Sequence, residues 1–297
     1  MFSFFRKKQT GGISSRLAER LKPLDSVIQQ RRFRSDVPYF FPKDLSEQDR
    51  LNFQHYALRF LLKGNYVAPL PEMVRDILDV GTGTGIWVRE MAKEFPEAKV
   101  VGMDIEIPAT ARMGAPRNSQ FVEGNVLKGL PFQDGAFDFV HQRLLVAAIP
   151  GSAWPAVVAE LARVTRPGGY VELLETLDVF ENEGPNTARL MEWWREAGRR
   201  SGFGSPPIQE LDQLFESAGL TNVTFTAVPV PLGKWGGRVG EMMGRDIHLV
   251  FNNLRVACDR LGVVPEKEYD ATWKALPQEW EELHTSSIFF LVYGQKP

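Results

Sequence analysis

Residues 77–85 read Ile-Leu-Asp-Val-Gly-Thr-Gly-Thr-Gly. Apolar strand formers carrying one carboxylate, Asp79, run directly into Gly81, Gly83 and Gly85, and Ile86-Trp87 then opens a helical pattern. The spacing predicts a strand, a tight turn and a helix N-terminus in one short run. Glycine turns admit positive φ and close backbone approach, and a helix N-terminus presents N–H groups, so the run suits a nucleotide-like ligand. Two common loops do not fit. A dinucleotide-binding loop places its last glycine at position 86, where this chain has Ile86, and a P-loop ends in Gly-Lys-Ser/Thr, which is absent. Asp104 ends the next apolar run, 19 residues beyond Gly85. From there a carboxylate can accept both hydroxyls of a ribose. Gly124-Asn125-Val126 closes a third run, where a polar side chain and a backbone N–H could hold the edge of a base.

Candidates for acid–base work lie further on. His141, Gln142 and Arg143 follow a fourth apolar run, at the sheet edge where open α/β folds bind ligands. The ordinary pKa of His141 makes it a general-base candidate, with ligand positioning as the alternative. Glu175, at the end of a fifth run, is a second base candidate, whereas Glu172 is expected on the solvent side of its strand. Gln54 and His55 sit on a helix that could fold over the ligand, with a plain surface face as the alternative. The single cysteine, Cys258, excludes an intrachain disulfide framework and a multi-cysteine metal site, and no metal is expected.

The elements that must position these residues follow from periodicity. Strands are expected at 76–80, 99–103, 120–123, 137–141 and 170–174, alternating with helices at 84–94 and 154–165. That alternation implies an α/β fold with a doubly wound, mostly parallel sheet. Before it, Ser46-Glu47-Gln48-Asp49 has the form of a capping box ahead of a helix carrying Phe53, Tyr56, Ala57, Phe60 and Leu61. After it come helices at 187–200 and 208–218 and a strand at 223–228. An amphipathic stripe then runs from Val239 to Leu261, and a β-prone stretch at 286–293 supplies a seventh strand. The expected organisation is a basic arm and helical extension (1–70), a core (71–228), a helical lid (229–282) and a final core strand (283–297).

The chain of 297 residues carries a net charge of −2 with 43% hydrophobic residues, ordinary values for a globular protein with a large core. Charge is uneven. Residues 1–35 hold nine Lys/Arg against Glu19 and Asp25, so the arm is +7 and the remainder −9. Such an arm could meet nucleic acid, an anionic membrane or another subunit; a solvated or subunit-contacting extension, and with it a homo-oligomer, is the expectation. No apolar run reaches the roughly 18 residues of a membrane span. The start, with its charges behind the aromatics, reverses the order of a signal peptide, and a cytoplasmic location is expected.

Asp79-x-Gly81-x-Gly83-x-Gly85 resembles motif I of the S-adenosylmethionine-dependent methyltransferases with a Rossmann-like fold. Asp104, Gly124-Asn125-Val126, Phe137-Asp138-Phe139-Val140 and Arg166-Pro167-Gly168-Gly169-Tyr170 follow in that family's order and spacing, over residues 75–175. Tyr39-Phe40-Phe41-Pro42-Lys43-Asp44, Gln54-His55, His141-Gln142-Arg143 and the terminal Val292-Tyr293-Gly294-Gln295-Lys296-Pro297 are similar to a narrower, LaeA-like group. That group holds fungal regulators of secondary metabolism and bacterial tailoring enzymes such as the teleocidin-pathway C-methyltransferase. The chain departs from the fungal pattern at Phe41, where leucine is usual, and at Asn52, where aspartate is usual.

The resemblance implies S-adenosylmethionine as cofactor. Gly81, Gly83 and Gly85 would face its methionine portion, and Asp79 would bind the amino group or cap the loop. Thr82 and Thr84 would add hydroxyl contacts or simply form the turn. Asp104 would hold the ribose, Ile105 would lie on the adenine, and Asn125 with Val126 would hold its edge. Gln142 would offer a backbone carbonyl, beside Arg143. The implied reaction is C-, O- or N-methylation of a small, largely apolar metabolite. A regulator that binds the cofactor with little turnover is the alternative. A nucleic-acid methyltransferase is disfavoured by the acidic core and the lack of an Asn-Pro-Pro-Tyr-like motif.

Overall fold

The computed structural model describes residues 45–297. The basic arm, and the contacts expected of it, lie outside the described residues. Strands β1 (Asp76–Val80), β2 (Lys99–Asp104), β3 (Ser119–Glu123), β4 (Phe137–Arg143) and β5 (Thr165–Glu181) pair in parallel in the order β3-β2-β1-β4-β5. β7 (Ser286–Gln295) inserts antiparallel between β5 and β6 (Thr221–Pro231), giving seven strands. The Rossmann-like, mostly parallel sheet read from the sequence is therefore present.

Its central strands are apolar on both faces because both faces are covered. Leu78, Val101 and Val140 pack on one side, and Ile77, Val100 and Phe139 on the other, following the one-residue alternation of a strand. The first side is closed by α4 (Trp154–Val164) and α6 (Leu211–Ser217), through Trp154, Leu161 and Phe215. On the second side α2 (Ile86–Glu94) covers β1 and β4 with Trp87 and Met91, and α3 (Ala109–Arg112) is a single turn after β2. Over β5 and β7 lie α1 (Leu45–Leu62), α5 (Pro185–Ser201), α7 (Gly237–Arg260) and α8 (Glu266–Leu283), meeting around Leu58, Met191, Met243 and Trp280. The buried stripe of α7 runs Met243, Ile247, Phe251, Leu254, Cys258. Burial pushes the Cys258 thiol up to about 12, so it packs as an unreactive apolar group. Among the described residues no helix is long and apolar enough to cross a membrane.

Two strands run well past their expected bounds. β5 was expected at 170–174 and extends over 165–181: at its start Thr165 pairs with Phe137 of β4, and β7 carries the pairing on from Tyr170 to Glu181. Register shifts around Pro167-Gly168-Gly169 and again between Thr176 and Phe180 absorb the extra residues. β6 reaches Pro231, past the expected start of the lid at 229. Prolines at 229 and 231 are tolerated because β6 is the edge of the sheet.

Candidate functional site

A cavity of about 290 Å³ opens at the carboxyl edge of the sheet, where strand order reverses between β1 and β4. Its walls are the segments that follow β1, β2, β3 and β4, roofed by α1. In the first of these, Gly81, Gly83 and Gly85 have φ of 75°, 54° and 72°, the left-handed region that other residues avoid. A Cβ at Gly81 would in addition lie 2.5 Å from the Leu145 side chain. Four amides of the turn are spent within the protein. Gly81 N and Thr82 N donate to Met103 O at 2.8 and 3.0 Å, Gly83 N to Asp104 Oδ2 at 2.8 Å and Gly85 N to Thr82 O at 2.9 Å. The turn itself therefore offers shape and close approach, and α2 opens directly behind it at Ile86.

Asp104 lines the cavity and accepts from Gly83 N and, at 3.3 Å, from Glu106 N. Carboxylate oxygens hold further lone pairs, so its capacity for ribose hydroxyls remains. Ile105, Asn125 and Val126 lie alongside. Asn125 Oδ1 accepts from Leu127 N at 3.0 Å, capping the turn at 126–128 and leaving its NH2 group for a base edge. Thr84 lines the cavity but donates to Asn52 Oδ1 on α1 at 2.7 Å. The Thr82 hydroxyl is buried without a partner among the described residues.

Asp79, His141 and Glu172 stand in register across β1, β4 and β5. His141 Nδ1 lies 2.8 Å from Asp79 Oδ1, and its ring stacks on Trp87 at 4.1 Å between centroids. Asp79 borders the cavity and His141 does not. His141 thus fixes Asp79 rather than facing an acceptor, against the general-base candidacy. Glu172, expected in solvent, is buried and accepts from Val67 N and Ala68 N, tying the connection after α1 to the sheet. Burial pushes its pKa up. Its strand is central because β7 returns beside it, a pairing that local alternation does not reveal.

Glu175 is also off the cavity. It is wholly buried, with Oε1 receiving Leu145 N at 3.0 Å and Oε2 receiving Val146 N at 3.1 Å. It anchors the cavity-wall segment after β4, which corrects its candidacy as a base. Burial pushes its pKa up to about 8. Gln142 lies in the core beside it, with Nε2 3.4 Å from Glu175 Oε1 and its own Oε1 unpartnered. Rotating that amide brings the carbonyl to a neutral Glu175, which can donate to it.

From α1, Gln54 lines the cavity and donates to Asp246 Oδ2 at 2.7 Å. His55 lies behind the wall, bonded to Arg143 Nη2 through Nδ1 at 3.2 Å and to Glu90 Oε2 through Nε2 at 3.0 Å. A guanidinium only donates, so Nδ1 accepts and Nε2 carries the proton. Burial, and next the Arg143 charge, lower the His55 pKa to about 4, in keeping with a neutral ring. Arg143 itself faces the cavity. Sequence reasoning missed a buried cluster beside it. Arg50 donates to Asp246 Oδ1 at 2.7 Å and to Glu47 Oε1 at 2.6 Å, and Asn253 Nδ2 donates to Glu47 Oε2 at 3.0 Å. The clue was Asp246 itself, a charge set between Met243 and Ile247 in the apolar stripe of α7.

Beyond the glycine loop the cavity becomes apolar, walled by Phe180, Met191, Trp194, Ile247, Phe251 and Phe289. Phe180, Trp194, Phe251 and Phe289 supply its aromatic surface. Trp193 instead stacks on Tyr269, Trp235 on His284 and Phe225 on Phe290, while Phe203 is buried.

The methyltransferase-domain family matches residues 29–224. The chain belongs to that family. Over 205 residues it is 33% identical to methyltransferase pytC of Aspergillus terreus, an overlap of 66% of this chain and 62% of the relative's length. Over 271 residues it is 27% identical to the secondary metabolism regulator laeA of Gibberella zeae, covering 82% and 83%. A solved complex of Haemonchus contortus phosphoethanolamine N-methyltransferase 2 with S-adenosyl-L-methionine shares the fold, with TM-score 0.52 at 16% identity over 89% of this chain and 61% of that one. The family and these relatives bear out the LaeA-like resemblance of the sequence, and with it S-adenosylmethionine as the cofactor of this methyltransferase domain.

Proposed function

We propose that the protein transfers a methyl group from S-adenosylmethionine to a small, largely apolar metabolite of secondary metabolism, at carbon, oxygen or nitrogen. The observation that carries this reading is the single cavity joining the glycine loop and Asp104 to an apolar chamber. The chain's residues fit the cofactor. Asp104 suits the ribose hydroxyls, Ile105, Asn125 and Val126 an adenine, Asp79 an ammonium group and Arg143 a carboxylate. When bound, the cofactor supplies an electrophilic methyl group on a sulfonium. The protein's own contribution is alignment and exclusion of water, in which His141, His55 and Glu175 act by holding Asp79, Arg143 and the segment after β4. Calorimetry should show micromolar binding of S-adenosylhomocysteine, and Asp104→Ala should weaken it at least about 150-fold, the worth of two charge-assisted hydrogen bonds. Absence of binding to the wild-type chain would overturn the reading.

The similarity to laeA favours a second reading, a regulator with little turnover. Labelled cofactor incubated with host extract separates the two, since only the enzyme labels a small molecule. The proposal includes a cytoplasmic location, a core of 71–228 completed by 283–297, and self-association through residues 1–35. Light scattering with and without those residues tests the last. Nucleic acid is disfavoured as substrate by the −9 charge of residues 36–297.

A further inference from the structure

The apolar chamber has a floor of four side chains from two strands. Thr176 stands opposite Phe289, and Phe180 opposite Ser287. All four border the cavity. Across the register shift four β5 steps stand against two of β7; both numbers are even, so all four side chains share one face, and the shift brings Phe180 opposite Ser287. The result is one polar spot, Thr176 and Ser287 with hydroxyl oxygens 3.2 Å apart, flanked by two phenyl rings.

The two hydroxyls are not equivalent. Thr176 Oγ1 donates to Ile288 O at 2.8 Å, satisfying a carbonyl where the β5–β7 ladder is interrupted. Its proton is committed. The Ser287 proton goes to Thr176 Oγ1 at rest, and it can turn to a ligand without leaving any backbone group unpaired. Charge is absent from the floor itself. Among the described residues the only cations bordering the cavity are Arg50, held between Glu47 and Asp246, and Arg143, bonded to His55.

Resting on the methyl-transfer reading, we infer that Thr176, Ser287, Phe180 and Phe289 form the acceptor subsite, taking a flat, aromatic or conjugated molecule whose one neutral oxygen accepts a hydrogen bond from Ser287. The phenyl rings, with Trp194 and Phe251 from the facing helices, enclose the apolar skeleton. A carboxylate or phosphate at the same spot would be desolvated without a counter-charge. The hydroxyl pair therefore selects neutral oxygen as well as binding it.

Fluorescence titration of the full chain saturated with S-adenosylhomocysteine tests this with three probes of one shape, 2-acetylnaphthalene, 2-ethylnaphthalene and 2-naphthoate. The ketone should bind about tenfold tighter than the other two, the scale of one well-placed buried hydrogen bond. In Ser287→Ala the ketone and the hydrocarbon should come within about twofold, with affinity for S-adenosylhomocysteine unchanged as the control for folding. Equal binding of ketone and hydrocarbon to the wild type, a preference for naphthoate, a ketone preference that survives Ser287→Ala, or no probe binding to the loaded protein would each overturn the assignment. Failure of S-adenosylhomocysteine itself to bind sinks the underlying methyl-transfer reading instead.

Discussion

At the residue scale, burial decides the charge state of the groups around the site. Glu175 has a native pKa of about 8 against an ordinary value of 4.5, so between those limits the unfolded chain releases a proton that the native protein keeps. Stability should then fall as pH rises from about 4.5 to about 8, and Glu175→Gln should flatten that fall. Glu172 and Asp246, also raised by burial, leave part of the slope in place. His55 runs the other way. Its native pKa of about 4 lies below the ordinary 6.5, so the unfolded chain gains a proton first and stability is lost as pH falls between those values. Above pH 6.5 the rising-pH loss stands alone, and urea midpoints measured from pH 6.5 to 8.5 in wild type and Glu175→Gln check it. Turnover that survives in Glu175→Gln would also separate an anchoring carboxyl from a base. Neither role was legible in sequence, where a carboxylate at a strand end reads the same whether it faces a ligand or a pair of backbone amides.

At the element scale, α1 is the movable-looking part of the wall in sequence and a tied part in structure. Arg50 and Gln54 reach Asp246, and Asn253 reaches Glu47, across the interface with α7. Asp246→Ala would leave the buried Arg50 guanidinium with Glu47 but one charged partner fewer, a loss of about 1.5–3 kcal/mol. Since Leu51 and Gln54 border the cavity, the same variant should weaken S-adenosylhomocysteine binding. Hydrogen exchange should quicken in 45–62 while β1 and β4 stay protected; unchanged exchange in α1 would show that the clasp does not hold it. The apolar spacing made α1 readable as a helix, although it begins at Leu45 and so takes in Ser46, which the capping box places before its first turn. Its partner was not readable, because Asp246 lies 196 residues from Arg50 and only the closed fold brings them together.

At the scale of the whole molecule, the cavity draws on the segments after four strands and on four helices, so a ligand there binds the assembled protein and not its unfolded chain. S-adenosylhomocysteine at 100 times its Kd should add about 2.7 kcal/mol of stability. For a domain of this size that raises Tm by roughly 5–10 °C. Scanning calorimetry on wild type and Asp104→Ala checks it: the shift should be large in the first and nearly absent in the second at the same ligand concentration.

By itself the sequence determined the strand and helix alternation and the glycine loop with Asp104 at its side. Both are local: strand and helix periods are written in neighbouring residues, and positive φ at 81, 83 and 85 is a property of glycine. Tertiary structure alone decided which carboxyls face the cavity, how far β5 runs and what closes α1. Each of those depends on a partner distant in the chain: β7 returning beside β5, the 67–68 amides reaching Glu172, α7 presenting Asp246. Pairing across such separations is settled by packing of the whole, and it is there that the acceptor chamber acquires its floor.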